Sequence, residues 1–108
     1  MITTHVLDTA AGKPASDVSV VLSVHREGNW IRVASGHTDP QGRLTKWPTE
    51  FAIERGVYRL TFDIATYHRD VQSFFPEVQV IFKVREDGEH VHVPLLISPF
   101  GYTTYRGT

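Results

Sequence analysis

Two imidazoles stand two residues apart at His90 and His92, a third lies near the start of the chain at His5, and an arginine, Arg43, follows a Gly-containing turn. On a strand, positions two apart leave the same face, so His90 and His92 would sit side by side on a polar surface while Val91, Val93, Leu95 and Ile97 pack inward. The pair reads in two ways. Imidazole is a common zinc ligand, and His5 could supply a third donor to an open catalytic site; equally, a His-x-His pair is a low-specificity pattern that solvated surface histidines also produce. Arg43 offers a fork of donors suited to an oxyanion or a planar imide, or is a solvated charge. The chain has six histidines and no cysteine, which excludes thiolate nucleophiles, disulfides and thiolate metal sites. His25, His37 and His68 lack evident companions and are assigned to the surface.

These groups need strands to hold them. Val18, Val20, Leu22 and Val24 alternate with Ser19, Val21, Ser23 and His25, the period of a half-buried strand. Ile2 to Asp8 is a second strand, rich in β-branched residues. Arg26-Glu27-Gly28-Asn29 reads as a hairpin turn into a strand from Trp30 to Thr38, and Asp39-Pro40-Gln41-Gly42 reads as a tight reversal. Val57 to Ile64 alternates again. Val78 to Val84 and Val91 to Ile97 flank an Asp87-Gly88 pair, which predicts antiparallel neighbours. Helical patterning is confined to Thr49 to Arg55 and to Ala65 to Gln72. About seven or eight short strands at this spacing predict an all-β antiparallel sandwich with one short helix and a core including Ile31, Leu60, Phe62, Val80, Phe82, Val93 and Leu95.

With 108 residues, 41% of them hydrophobic and 21% charged, the chain is expected to be one globular domain over residues 1–108. A net charge of -1 offers no basic footprint, so neither nucleic acid nor an anionic membrane is an expected partner. No run approaches the roughly 18 to 20 apolar residues of a membrane span. The first residues lack the pattern of a secretory signal, which makes the cytoplasm the expected location. The final stretch is unusual in packing Phe100, Tyr102, Tyr105 and Arg106 where most chains carry small polar residues. Either it covers an edge or subunit interface, or Tyr105, Arg106 and the terminal carboxylate help form a ligand pocket.

Taken together, His5-Val6-Leu7-Asp8, Thr38-Asp39, Gly42-Arg43-Leu44, Ser73-Phe74-Phe75-Pro76-Glu77, His92-Val93-Pro94-Leu95-Leu96 and the closing Tyr105-Arg106-Gly107-Thr108 resemble, from end to end, the 5-hydroxyisourate hydrolases of the transthyretin-like family. Hormone-carrying transthyretins lack the closing tetrapeptide. The resemblance implies a transthyretin-like sandwich assembled as a homotetramer, with sites in the channel where two dimers meet. It implies hydrolysis of 5-hydroxyisourate, the product of urate oxidation, to 2-oxo-4-hydroxy-4-carboxy-5-ureidoimidazoline, and it places His5, Arg43, His92, Tyr105 and Thr108 in the site. The chain departs from the usual pattern in ending on threonine rather than serine, and in having Val91 where an aromatic residue commonly stands.

Opening a cyclic amide with water needs a base, donors for the oxyanion and an acid for the leaving nitrogen. His92 or His5 is expected to activate the water, with the other orienting substrate or supplying the proton. Arg43 would hold the oxyanion, and Tyr105 and Thr108 would position the ring. This scheme requires no cofactor, with zinc at His5, His90 and His92 as a secondary expectation. The rival from another class is a non-catalytic carrier that binds a small ligand in the same channel.

Overall fold

Alternation of small branched apolar residues with polar ones makes strands rather than helices of most of this chain. The computed structural model, which describes residues 1–108, contains nine strands and a single turn of helix: β1 (Ile2–Asp8), β2 (Lys13–Pro14), β3 (Ser19–Arg26), β4 (Asn29–His37), β5 (Arg43–Leu44), β6 (Gly56–Asp63), α1 (Ile64–Tyr67), β7 (Glu77–Val84), β8 (Val91–Ser98) and β9 (Gly101–Thr104). They form two sheets. One is ordered β4-β3-β6-β7; the other is β2-β1-β8-β9, with β5 also pairing with β1. No helix is long and apolar enough to cross a membrane.

Inward residues from both sheets meet in a core of 18 buried side chains. Val20, Leu22, Tyr58, Leu60 and Phe62 face Ile2, Val6, Val93, Leu95 and Ile97 across it, the interdigitated packing of a sandwich. The turn after β3 places both Glu27 (φ 50°) and Gly28 (φ 81°) at positive φ. That is the handedness a two-residue hairpin needs to match strand twist.

The structure corrects several expectations. β7 and β8 are not neighbours, because β7 pairs with β6 while β8 pairs with β1 and β9. The Asp87-Gly88 segment therefore crosses from one sheet to the other. Its backbone is held by side chains: Glu89 accepts from the N–H groups of Arg85 and Glu86, and Asp87 accepts from that of Arg55. The sandwich is also not wholly antiparallel, since β1 and β8 run parallel from Ile2 opposite Val91 to Asp8 opposite Ile97. Ile31 is 49% exposed, lying at the hairpin end of edge strand β4 just past a bulge between Leu22 and Ser23. Val80 and Phe82 pack against the core without being fully buried.

Residues 49–55 form no helix. Tyr58 Oη accepts from the Glu54 N–H and donates to the Glu54 carbonyl, so both backbone groups of Glu54 are taken by a side chain rather than by a helical ladder. The second helical candidate shrinks to α1, capped by Asp63, which accepts from Thr66 N–H and Thr66 Oγ1. His68, assigned to the surface, is instead 5% exposed. It sits edge-on to Tyr67, whose hydroxyl donates to Asp8 at 2.8 Å, and this contact ties α1 to the end of β1.

Candidate active site

Three strands of one sheet build the site. On β1 the residues Ile2, Thr4 and Val6 point into the core, so Thr3 and His5 point out. On β8 the buried Val91, Val93 and Leu95 turn His92 outward. Arg43 stands directly opposite His5 across the β1–β5 ladder, and Thr3 directly opposite His92 across the parallel β1–β8 ladder. The outer face of this sheet thus gathers His5, Arg43 and His92, with the exposed His90 at its margin.

The Asp39–Gly42 turn delivers Arg43. Asp39 Oδ1 accepts from the N–H groups of Gln41 and Arg43, and Gly42 N–H donates to the Asp39 carbonyl at 2.8 Å. Gly42 has φ 77°, and its carbonyl accepts from Val6 N–H at 2.7 Å. A β-carbon here would lie 2.3 Å from the Val6 carbonyl oxygen, so only glycine lets the turn lie this close to β1. The carbonyl of Gln41 lies 2.9 Å from His5 Nε2; as a carbonyl can only accept, Nε2 carries a proton and a neutral His5 presents Nδ1 as its free lone pair. Arg43 forms no ion pair with any carboxylate, which leaves its guanidinium available to an external oxyanion.

His92 is held from several sides. Its Nδ1 lies 2.7 Å from Thr3 Oγ1. Its carbonyl accepts from Gly107 N–H at 2.9 Å, which brings residues 105–108 back along β8. Arg106 anchors this segment on Glu89 at 3.0 Å. The N–H groups of Arg85 and Glu86, together with Arg106, hold the Glu89 carboxyl below the usual carboxylate range. Burial first, then the Coulombic influence of His5, Arg43 and His90, lowers the His92 pKa below that of ordinary imidazole. His92 is therefore a neutral imidazole at neutral pH, the form that can accept a proton.

Of the expected site residues, the structure brings His5, Arg43 and His92 together, and Thr108 follows one residue after the Gly107 bridge. It does not bring Tyr105 to that face within one chain. Tyr105 lies with Val80, Phe82, Arg85 and Val93 along a groove of about 330 Å³ between β7 and β8. Nor do His5, His90 and His92 converge as a ligand set, and no cluster of three His, Cys, Asp or Glu side chains is placed to hold a metal ion. The zinc expectation thus finds no ligand set. Thr3 escaped the sequence reading because it becomes a neighbour of His92 only through the parallel β1–β8 register, which no short-range pattern encodes.

Two sheets around one core, one of them built on a parallel β1–β8 pair and carrying an imidazole and guanidinium face, define a transthyretin-type sandwich with an ionisable outer surface. Residues 2–107 match the HIUase/Transthyretin family profile, and the chain belongs to that family. It is 42% identical to the 5-hydroxyisourate hydrolase of Salmonella typhimurium over all of this chain and 81% of that protein. Against the mouse 5-hydroxyisourate hydrolase the identity is 40%, covering 99% of this chain and 94% of the other. Among solved structures, Klebsiella pneumoniae 5-hydroxyisourate hydrolase superposes with a TM-score of 0.82 at 35% identity, over 99% and 98% of the two chains. Sea bream transthyretin in complex with thyroxine gives 0.88 at 33%, over 99% and 94%.

Proposed function

We propose that this chain is a hydrolase that opens the cyclic amide of 5-hydroxyisourate to give 2-oxo-4-hydroxy-4-carboxy-5-ureidoimidazoline. The observation that carries the reading is the single face holding His5, Arg43 and a neutral His92. His92 takes a proton from water as the oxygen attacks the amide carbonyl carbon. The carbonyl oxygen becomes an oxyanion, and the unpaired Arg43 guanidinium stabilises it. Collapse of the intermediate breaks the carbon–nitrogen bond, and the proton held by His92 passes to the leaving nitrogen. One water is consumed: one of its protons reaches the leaving nitrogen through His92, and the carbonyl carbon ends as a carboxylic acid that loses the other to solvent as it becomes a carboxylate. His5, with Nε2–H fixed on the Gln41 carbonyl, orients the ring through Nδ1. Thr108 closes the face beside His92.

The same reading includes a single domain built on the one core cluster and a homotetramer in which the face lines a channel between dimers. Support for assembly comes from exposed large apolar side chains: Phe74, Ile81, Phe100, Tyr102 and Tyr105. A ligand-carrying role would ask for a channel with few polar groups, and two imidazoles with an unpaired guanidinium are the opposite. The test follows the ultraviolet absorbance of freshly generated 5-hydroxyisourate with and without the protein. Saturable acceleration over the buffer rate is expected. His92→Ala should retain the oligomer by light scattering and lose about 100-fold to 10,000-fold in turnover. Decay at the buffer rate with wild-type protein would refute the assignment.

A further inference from the structure

Thr3 is the neighbour of His92 that the catalytic scheme leaves without a role. It is 5% exposed although it points to the outer face, and its hydroxyl lies 2.7 Å from His92 Nδ1. It makes no other side-chain hydrogen bond. The opposite edge of the ring is closed by backbone: a β-carbon on Gly107 would lie 2.5 Å from His92 Cδ2. The ring is therefore fixed between a hydroxyl and a glycine, and Nε2 has no protein partner yet is not among the buried unsatisfied atoms.

We propose that Thr3 is a positioning residue for the hydrolysis, its hydroxyl accepting the Nδ1 proton of His92 and so keeping Nε2 unprotonated toward the substrate. The inference rests on His92 being the base. A neutral imidazole carries one proton, and a base must present the nitrogen that lacks it. If Thr3 donated instead, the proton would sit on Nε2 and that atom could not take another. The acceptor arrangement also persists when His92 becomes imidazolium, because Nδ1–H then donates with a full charge behind it. An acceptor on Nδ1–H favours the protonated ring, the direction opposite to burial, which is the first cause of the low His92 pKa. A hydroxyl does this more gently than a carboxylate would, so the ring is oriented while staying neutral at neutral pH.

The experiment combines turnover with ¹⁵N NMR of the His92 ring in the full-length protein, for wild type, Thr3→Val, Thr3→Ser and His92→Ala. Valine keeps the branched shape and removes the acceptor; serine keeps the acceptor. The wild-type ring should be the Nδ1–H tautomer above its pKa. Thr3→Val should lose that tautomer preference, lower kcat about tenfold to a hundredfold with KM little changed, and move the acid limb of the kcat profile to lower pH. Thr3→Ser should restore all three. A wild-type ring protonated on Nε2 overturns the proposal, as does a folded Thr3→Val with unchanged tautomer and kcat. If the tautomer shifts in Thr3→Val but His92→Ala hydrolyses substrate at the wild-type rate, the base assignment fails, and the role of Thr3 in the reaction fails with it.

Discussion

Arg43→Gln separates two jobs that the proposed mechanism gives one side chain. Arg43 has no carboxylate partner, so its replacement strands no buried charge and leaves the Asp39–Gly42 turn, built from backbone and Asp39, in place. The first job is oxyanion stabilisation, whose loss costs about 2.7 to 4 kcal/mol, or about 100-fold to 1,000-fold in kcat. The second is electrostatic. After burial and His5, Arg43 is the next contributor to the low pKa of His92, so removing its charge should shift the acid limb of kcat upward. The limb should stop short of the ordinary value of about 6.5, because burial, His5 and His90 remain. Arg43→Lys keeps the charge and loses the planar fork, so it should slow turnover while leaving the limb near its wild-type position. The assay is initial decay of 5-hydroxyisourate, corrected for the spontaneous reaction, across pH at constant ionic strength. High salt gives an internal check, since screening length falls to about 3 Å at 1 M: the wild-type limb should rise and that of Arg43→Gln should move less. A loss of less than about tenfold would refute the oxyanion role. An unmoved limb would refute the electrostatic one.

Gly107→Ala should drive its new methyl into His92 Cδ2 and Pro94 Cγ, turning the ring off Thr3. Turnover should fall by up to about a hundredfold with thermal unfolding close to wild type, as kinetics and a melt will show. Tyr67→Phe tests the other end of β1. Burial alone would raise the Asp8 pKa, but hydrogen bonds from Ala11 N–H and Tyr67 Oη, with the charge of His68, outweigh it and hold the carboxyl low. Tyr67 is in turn pushed up to about 12 by burial and by its bond to Asp8. A lowered carboxyl pKa contributes stability that is present above the unfolded value of about 3.9 and is lost as pH falls through the folded one. Tyr67→Phe should therefore cost about 1.5 to 3 kcal/mol near neutral pH and raise the midpoint of acid unfolding. An unchanged acid midpoint would show that the hydroxyl does not hold Asp8.

Local patterns in the sequence were enough for most strands and for the one turn that presents a site residue. Val18 to Val24 alternates as β3 does, and Asp39-Pro40-Gln41-Gly42 forms the reversal that presents Arg43. What failed was pairing between distant segments. Asp87-Gly88 carries a hairpin signal, yet Val84 and Val91, on either side of it, are buried in different sheets, and the core decides where each strand goes. The site divides along the same line. Parity alone turns His5 and His92 to one kind of face, but only the parallel register brings them into one site and sets Thr3 against the His92 ring. Tyr105, carried into the sequence reading by its motif, lies in a groove on the far side of its own tail, because the Gly107 bridge and the Arg106–Glu89 pair fix the path between them.

The parallel pairing of β1 with β8 also orders events in time. Thr3 and His92 are 89 residues apart, so at a synthesis rate of about 5 to 20 residues per second the first half of the reactive face leaves the ribosome several seconds before the second. During that interval β1 can pair with β2 and β5, but its other edge waits open. The sheet that holds β3, β4, β6 and β7 can close from local antiparallel contacts meanwhile, and it becomes the template on which β1 is kept until β8 arrives. The reactive face is thus completed only when the C-terminal strand arrives, and a chain halted before His92 holds half of it together with a core still missing Val91, Val93, Leu95 and Ile97.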